Sequence, residues 1–172
     1  MDLTIQNDNW DMLDQSQKRE KISEFEAACL EEAESSSVEL AITSHFCEGV
    51  YAREMFIPKG VSLVGGIHIK PNINIVSKGK IVVVTEFGKK VVTAPATFVS
   101  PAGTKRIGYA LEDTIWTAIH ATTLTDPEEI RREVIAPDYN TLDRLLEETK
   151  HGLGSSSNNS SIEGEYGAKE IK

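Results

Sequence analysis

The chain has 172 residues, 40% of them hydrophobic and 26% charged, with a formal net charge of −9. That length can bury a core without disulfides or metal staples, no apolar run approaches the roughly 18 residues of a membrane span, and the acidic balance argues against non-specific nucleic-acid binding. The opening MDLTIQNDNW lacks the basic and apolar stretches of a signal peptide, and two cysteines, Cys29 and Cys47, are too few for a secreted disulfide scaffold, so a reducing cytosol is expected.

Residues 1–37 read as an acidic helical arm. Asp14 or Ser16 offers a short side-chain oxygen to cap a helix over 16–34. Ile22, Phe25, Ala28, Cys29 and Ala33 recur at helical spacing as a thin apolar stripe, so the helix must dock on something to persist. Ser35-Ser36-Ser37 then breaks it. From Val38 the character changes. VELAITSHF, GVYAREMFIP, VSLVGGIHI, NINIVSKG, KIVVVTEFG, KKVVTAP, TFVSPAG and DTIWTAIHAT are rich in Val, Ile, Thr and aromatics and are punctuated by Gly, Pro and Asp. With no long helical pattern between them, these segments predict about eight antiparallel strands over 38–125, a mainly β jelly roll.

Residues 126–151 return to helix. Asp126-Pro127-Glu128-Glu129 supplies a cap, a first-turn proline and acids at the positive end of the helix dipole. Ala136-Pro137-Asp138 ends that helix, and a second starts near Asn140-Thr141 with Leu142, Leu145 and Leu146 on one side. The tail 152–172 contains the polar run GSSSNNSS, which is expected to be flexible unless a partner holds it. Charge follows the same divisions: residues 1–35 carry −7, 36–125 carry +3 and 126–172 carry −5. The arms are either solvated helices or acidic surfaces that pack across the basic centre, in their own subunit or a neighbour.

Residues 49–120, above all GGIHIK, VSKGKIVVVTEFG and APATFVSPAGTKRIGYALEDTIW, resemble the cupin superfamily, also called RmlC-like jelly rolls. Gly79 and Pro101-Ala102-Gly103 match the family's turns. The metal ligands do not follow: His68 stands at the second histidine, Gly66 at the first, Asn72 near the glutamate and Arg106 at the last histidine. A cation beside Lys70, Lys105 and Arg106 would be repelled, so no metal, no cofactor and no metal-dependent chemistry is expected. The wording is also similar to small cupin-like proteins of tailed bacteriophages. Fold analogy alone assigns no function.

Four residues are candidates for ligand binding: His68, Lys70, Lys105 and Arg106. His68 either lines the barrel mouth as a hydrogen-bonding or acid–base group or is a satisfied core histidine. The three cations either form an anion pocket or make surface ion pairs with Glu112 and Asp113, or with an acidic arm. His120 reads as structural, although it is placed to converge with His68 from the opposite sheet. His45 near Cys47 gives too little support for a thiolate nucleophile. Trp116, Phe98, Phe56 and Tyr51 read as core aromatics. No phosphate loop, nucleophile elbow or paired-cysteine motif occurs, and no catalytic residue is assigned.

Two readings of function follow. The first is a non-enzymatic structural or interaction protein on a metal-free barrel, which the resemblance places in a bacteriophage, as virion component or in the host cytoplasm. It would form a homo-oligomer and dock other virion proteins, without membrane or nucleic acid. The second is a cupin that binds or sequesters a small anion, a nucleotide or sugar phosphate. A metal-independent epimerase with His68 as base is a third, and it needs a carboxylate to orient the histidine.

Overall fold

The computed structural model describes residues 10–33 and 39–152. The expected serine break at 35–37 and the polar tail from 153 lie outside them. Helix α1 spans Gln15–Ala33. Asp14 caps it reciprocally: its Oδ1 accepts from the Gln17 amide at 2.9 Å, and Gln17 Oε1 accepts from the Asp14 amide at 3.0 Å. Ile22 is fully buried and packs with Phe25, Trp10, Val84 and Ile107. Burial of one such isoleucine contributes about 1.5–3 kcal/mol, enough to hold a helix that is otherwise polar. Ala28, expected in the stripe, is exposed, so the docking face is narrower than the pattern suggested.

The strands are β1 (Ala41–Cys47), β2 (Val50–Ile57), β3 (Ser62–Val64), β4 (Ile67–His68), β5 (Asn72–Lys78), β6 (Lys80–Thr85), β7 (Gly88–Thr93), β8 (Ala96–Ser100), β9 (Ile107–Ala110) and β10 (Thr114–Ala121). One sheet runs β1-β2-β10-β5-β8 and the other β3-β9-β6-β7, and each adjacent pair is antiparallel. The chain winds back and forth between the two sheets, and this order is that of the double-sheet jelly roll. The structure is therefore mainly β with an N-terminal helix and C-terminal helices, as the sequence predicts.

Two strand assignments change. VSLVGGIHI is two strands broken at Gly65-Gly66, and IGYA forms β9, which the spacing of turn signals had not marked. Between the sheets lie Ile57, Val76, Ile81, Val83, Val92, Ala110 and Trp116. Alternation selects them: along β10, Thr114, Trp116, Ala118 and His120 are buried while Ile115, Thr117 and Ile119 face outward. Phe56 falls on the outer side between inward Met55 and Ile57 and is 37% exposed, so it is not a core aromatic. Gly79 joins β5 to β6 at φ +86°, where a Cβ would come 2.2 Å from the Asp113 carbonyl oxygen.

Helix α2 spans Pro127–Val134, with Asp126 accepting from the amides of Glu128 and Glu129. Ile130 and Val134 pack on Tyr51. The helix stops at Val134, one turn before Pro137, because Ile135–Ala136 forms strand β11 and pairs with β4. Asp138 then caps α3, Tyr139–Gly152, through the Thr141 amide at 2.7 Å. Leu142 is fully buried against Ile67 and Ala136. Among the described residues no helix is long and apolar enough to cross a membrane.

Candidate functional site

The roll encloses a cavity of about 480 Å³. Ile42 lies in the inward row with Met55 and Trp116, yet it is 49% exposed, so the roll is open beside β1. Leu40, Ile42 and Pro127, Glu128 and Arg131 of α2 line this side. Deeper walls are apolar: Ile57, Leu63, Ile81, Val83 and Trp116.

Two histidines and two arginines are among the side chains that line the cavity. Arg53 on β2 follows the alternation of Tyr51, Met55 and Ile57. His120 on β10 stands opposite Tyr51. His68 comes from the short β4–β11 ladder rather than the opposite large sheet, and its ring stacks on that of His120 at 5.3 Å between centroids and 5° between planes. Arg106, just before β9, places its guanidinium carbon 5.6 Å from the centre of the Trp116 ring.

The two histidines are neutral at pH 7. Burial lowers the His68 pKa to about 3, reinforced by the positive charges of Arg106 and Arg53 and by His120. Burial, Arg106 and Arg53 also lower His120, opposed by Glu133. Burial brings Arg106 down to about 10, opposed by Glu86, so it keeps its charge. Arg106 Nη2 and His68 Nδ1 are buried and have no hydrogen-bond partner among the described residues. Such groups are costly to leave unpaired, and in native proteins they mark places where something else binds. His68 is thus a cavity histidine rather than a satisfied core one, and no carboxylate hydrogen-bonds its ring among the described residues. A base this weak is poorly matched to proton abstraction at neutral pH.

The four expected ligand-binding residues divide. His68 and Arg106 face the cavity together. Lys70 is on the surface and donates to Glu133 at 3.0 Å. Lys105 is buried outside the roll, where its ammonium pairs with Glu26 of α1. It meets the acidic arm of its own chain, not Glu112 or Asp113. Buried Glu86 accepts from the Lys105 amide at 3.2 Å and from the Tyr139 hydroxyl at 2.6 Å. Arg19 completes this seam, bonding Asp143 at 2.9 Å and stacking on Tyr139. Sequence reasoning missed Arg53, whose inward direction was readable from the alternation of YAREMFI.

These residues do not fit a divalent metal ion. Arg106 holds a positive charge beside both histidines, and Gly66 supplies no ligand. A Cβ at Gly66 would stand 2.6 Å from the Ile135 side chain, which already occupies that corner. Among the described residues no three His, Cys, Asp or Glu side chains gather around one point. His45 and Cys47 are exposed on the edge strand β1, away from the cavity.

The sequence matches no known family model and no curated protein. Solved structures do match. An RmlC-like cupin from Shewanella frigidimarina is 19% identical, with 53% of this chain and 80% of that chain covered and a TM-score of 0.44. KdgF from Halomonas sp. is 21% identical, covering 54% and 88% with a TM-score of 0.43. An acetylacetone dioxygenase from Acinetobacter johnsonii is 15% identical, covering 49% of this chain and 61% of that one with a TM-score of 0.42, so the chain spans less than two thirds of its length. The jelly roll itself rests on the strand order given above.

Proposed function

We propose that this protein binds a small anionic ligand in the cavity of its roll, with Arg106 as the anchor. The observation that carries the reading is the buried guanidinium with an unpartnered Nη2, beside His68 Nδ1 in the same condition. An oxyanion accepts from both, and a guanidinium presents parallel donors to it. A further cation, Arg53, lines the same space. The test is thermal denaturation across a panel of carboxylates and phosphates, with Arg106→Gln alongside. A ligand at about 100 times its Kd stabilises the folded state by about 2.7 kcal/mol. A stabilising anion whose effect vanishes in Arg106→Gln supports the reading; no shift with any anion overturns it.

A second reading, self-assembly, is favoured by the outer face of the five-stranded sheet. Phe56, Ile73 and Val99 there are 37%, 45% and 67% exposed, and Ile75, Ile115 and Ile119 share the same outward rows. A broad apolar face of this kind suits a second copy of the chain. In the virion setting that the bacteriophage resemblance implies, it would serve equally for a neighbouring coat component. Size-exclusion chromatography with light scattering should give a defined oligomer that Ile73→Lys with Val99→Lys dissociates. A monomer at high concentration removes this reading and leaves the first intact.

A further inference from the structure

The cavity also restricts which anion it takes, and this inference rests on the binding reading above. We propose that the ligand is a carboxylate with a compact apolar body, aromatic or branched aliphatic, rather than a nucleotide or a sugar phosphate. Arg106 and His68 are joined in the lining by other polar groups, Arg53, Tyr51 and Ser44 among them. Arg106 and His68 lie near Trp116 and His120, whereas the walls leading away are Ile57, Leu63, Ile81 and Val83. Those side chains offer no hydrogen bonds. A sugar or base pushed among them would leave its hydroxyls and ring nitrogens unpaired, each having given up water for nothing in return. A hydrocarbon body loses nothing there and gains the burial of its surface.

The donor set points the same way. Arg106 Nη2 and His68 Nδ1 are two buried positions without partners, which matches the two oxygens of a carboxylate. A phosphate monoester carries a third terminal oxygen that this pair of unpartnered positions does not match. His68 takes part as a neutral N–H donor beside the Arg106 guanidinium, and Arg53 adds a second positive charge to the same space, so the apolar walls rather than the charge disfavour a nucleotide or sugar phosphate.

The experiment compares acids with their neutral counterparts on the unaltered chain. 3-Phenylpropionate, 4-methylpentanoate, their primary amides, AMP, glucose 6-phosphate and inorganic phosphate are titrated by calorimetry and thermal shift at constant ionic strength. The expected result is binding of at least one of the two carboxylates, weakened tenfold or more in its amide, with no binding of AMP or glucose 6-phosphate. Arg106→Gln should abolish the preference for acid over amide. Should that variant fold poorly, the acid–amide ratio on the unaltered protein still decides. Binding of AMP or glucose 6-phosphate in preference to both carboxylates overturns this assignment while sustaining the anion-binding reading. Equal binding of acid and amide overturns the assignment through its anchor, and binding of none of the compounds overturns both.

Discussion

Buried charge is treated in opposite ways on the two sides of the 105–106 backbone. Outside the roll, beneath α1 and α3, Lys105 meets Glu26, Glu86 meets the Lys105 amide and the Tyr139 hydroxyl, and Arg19 meets Asp143. Inside, Arg106 and His68 leave polar atoms unpartnered among the described residues. Desolvation is largely repaid by contacts in the first region, although Arg19 Nε stays unpartnered there, and less so in the second. The seam therefore behaves as structure, fastening the arm and the last helix to the sheet. The cavity behaves as a site kept ready at some cost in stability, as functional sites commonly are.

Removing one partner from the seam should do the greatest damage. Glu86→Ala strands the Lys105 amide and the Tyr139 hydroxyl and strips Arg106 of the countercharge that it feels, with an expected loss of about 3–5 kcal/mol in urea denaturation. A loss below about 1 kcal/mol would erase the distinction between the two regions. The sharpest contrast pairs the adjacent cations. Lys105→Met should destabilise by about 1–3 kcal/mol, less than a fully buried pair because Glu26 is partly exposed. Arg106→Met should leave the unliganded protein unchanged or more stable by about 1 kcal/mol, since it removes a desolvated guanidinium whose Nη2 has no partner among the described residues. If both substitutions cost the same, the cavity arginine is structural.

Acid should act on the cavity. The His68 pKa is about 3 in the folded chain and near its ordinary 6.5 when unfolded, so between those values the unfolded state binds a proton that the folded state does not. Stability from this residue is present at neutral pH and is lost as pH falls below 6.5, by about 1.5–2 kcal/mol between pH 6.5 and 5. His120 is lowered too and adds loss of the same sign. Denaturation at several pH values should show the slope, and His68→Gln should flatten it; an unchanged slope would mean that the imidazole is solvated. The smallest effect is expected at Lys70→Ala. Its pairing with Glu133 is exposed, so stability should move by less than about 0.5 kcal/mol and ligand affinity not at all.

Much of the architecture was readable because it depends on local rules. Asp14 and Asp126 cap helices by side-chain chemistry alone, and the β strands announce themselves by composition and by turns such as Gly79. Strand β11 was not readable, since Ile135-Ala136 continues a helical pattern and becomes extended only by pairing with β4, some seventy residues away in sequence. The candidate site suffered most from the missing strand β9. Without β9, Lys105 and Arg106 looked like one basic patch. Once Ile107–Ala110 is a strand, Gly108 and Ala110 face inward, and the two-residue period carries Arg106 in with them and turns Lys105 out. Arg53 obeys the same period on β2. Ion pairs such as Lys105 with Glu26 span 79 positions and follow from how the helix docks, which no local pattern records.

The meeting of Gly66 with Ile135 also bears on attempts to redesign this protein. Installing a chelating side chain at Gly66 would first require trimming Ile135, because the two cannot share the same volume. That trimming would loosen the clasp by which the C-terminal segment grips β4. A route toward metalloenzyme chemistry therefore passes through a weakened intermediate, and a library that randomises Gly66 alone would sample only variants blocked by their own neighbour.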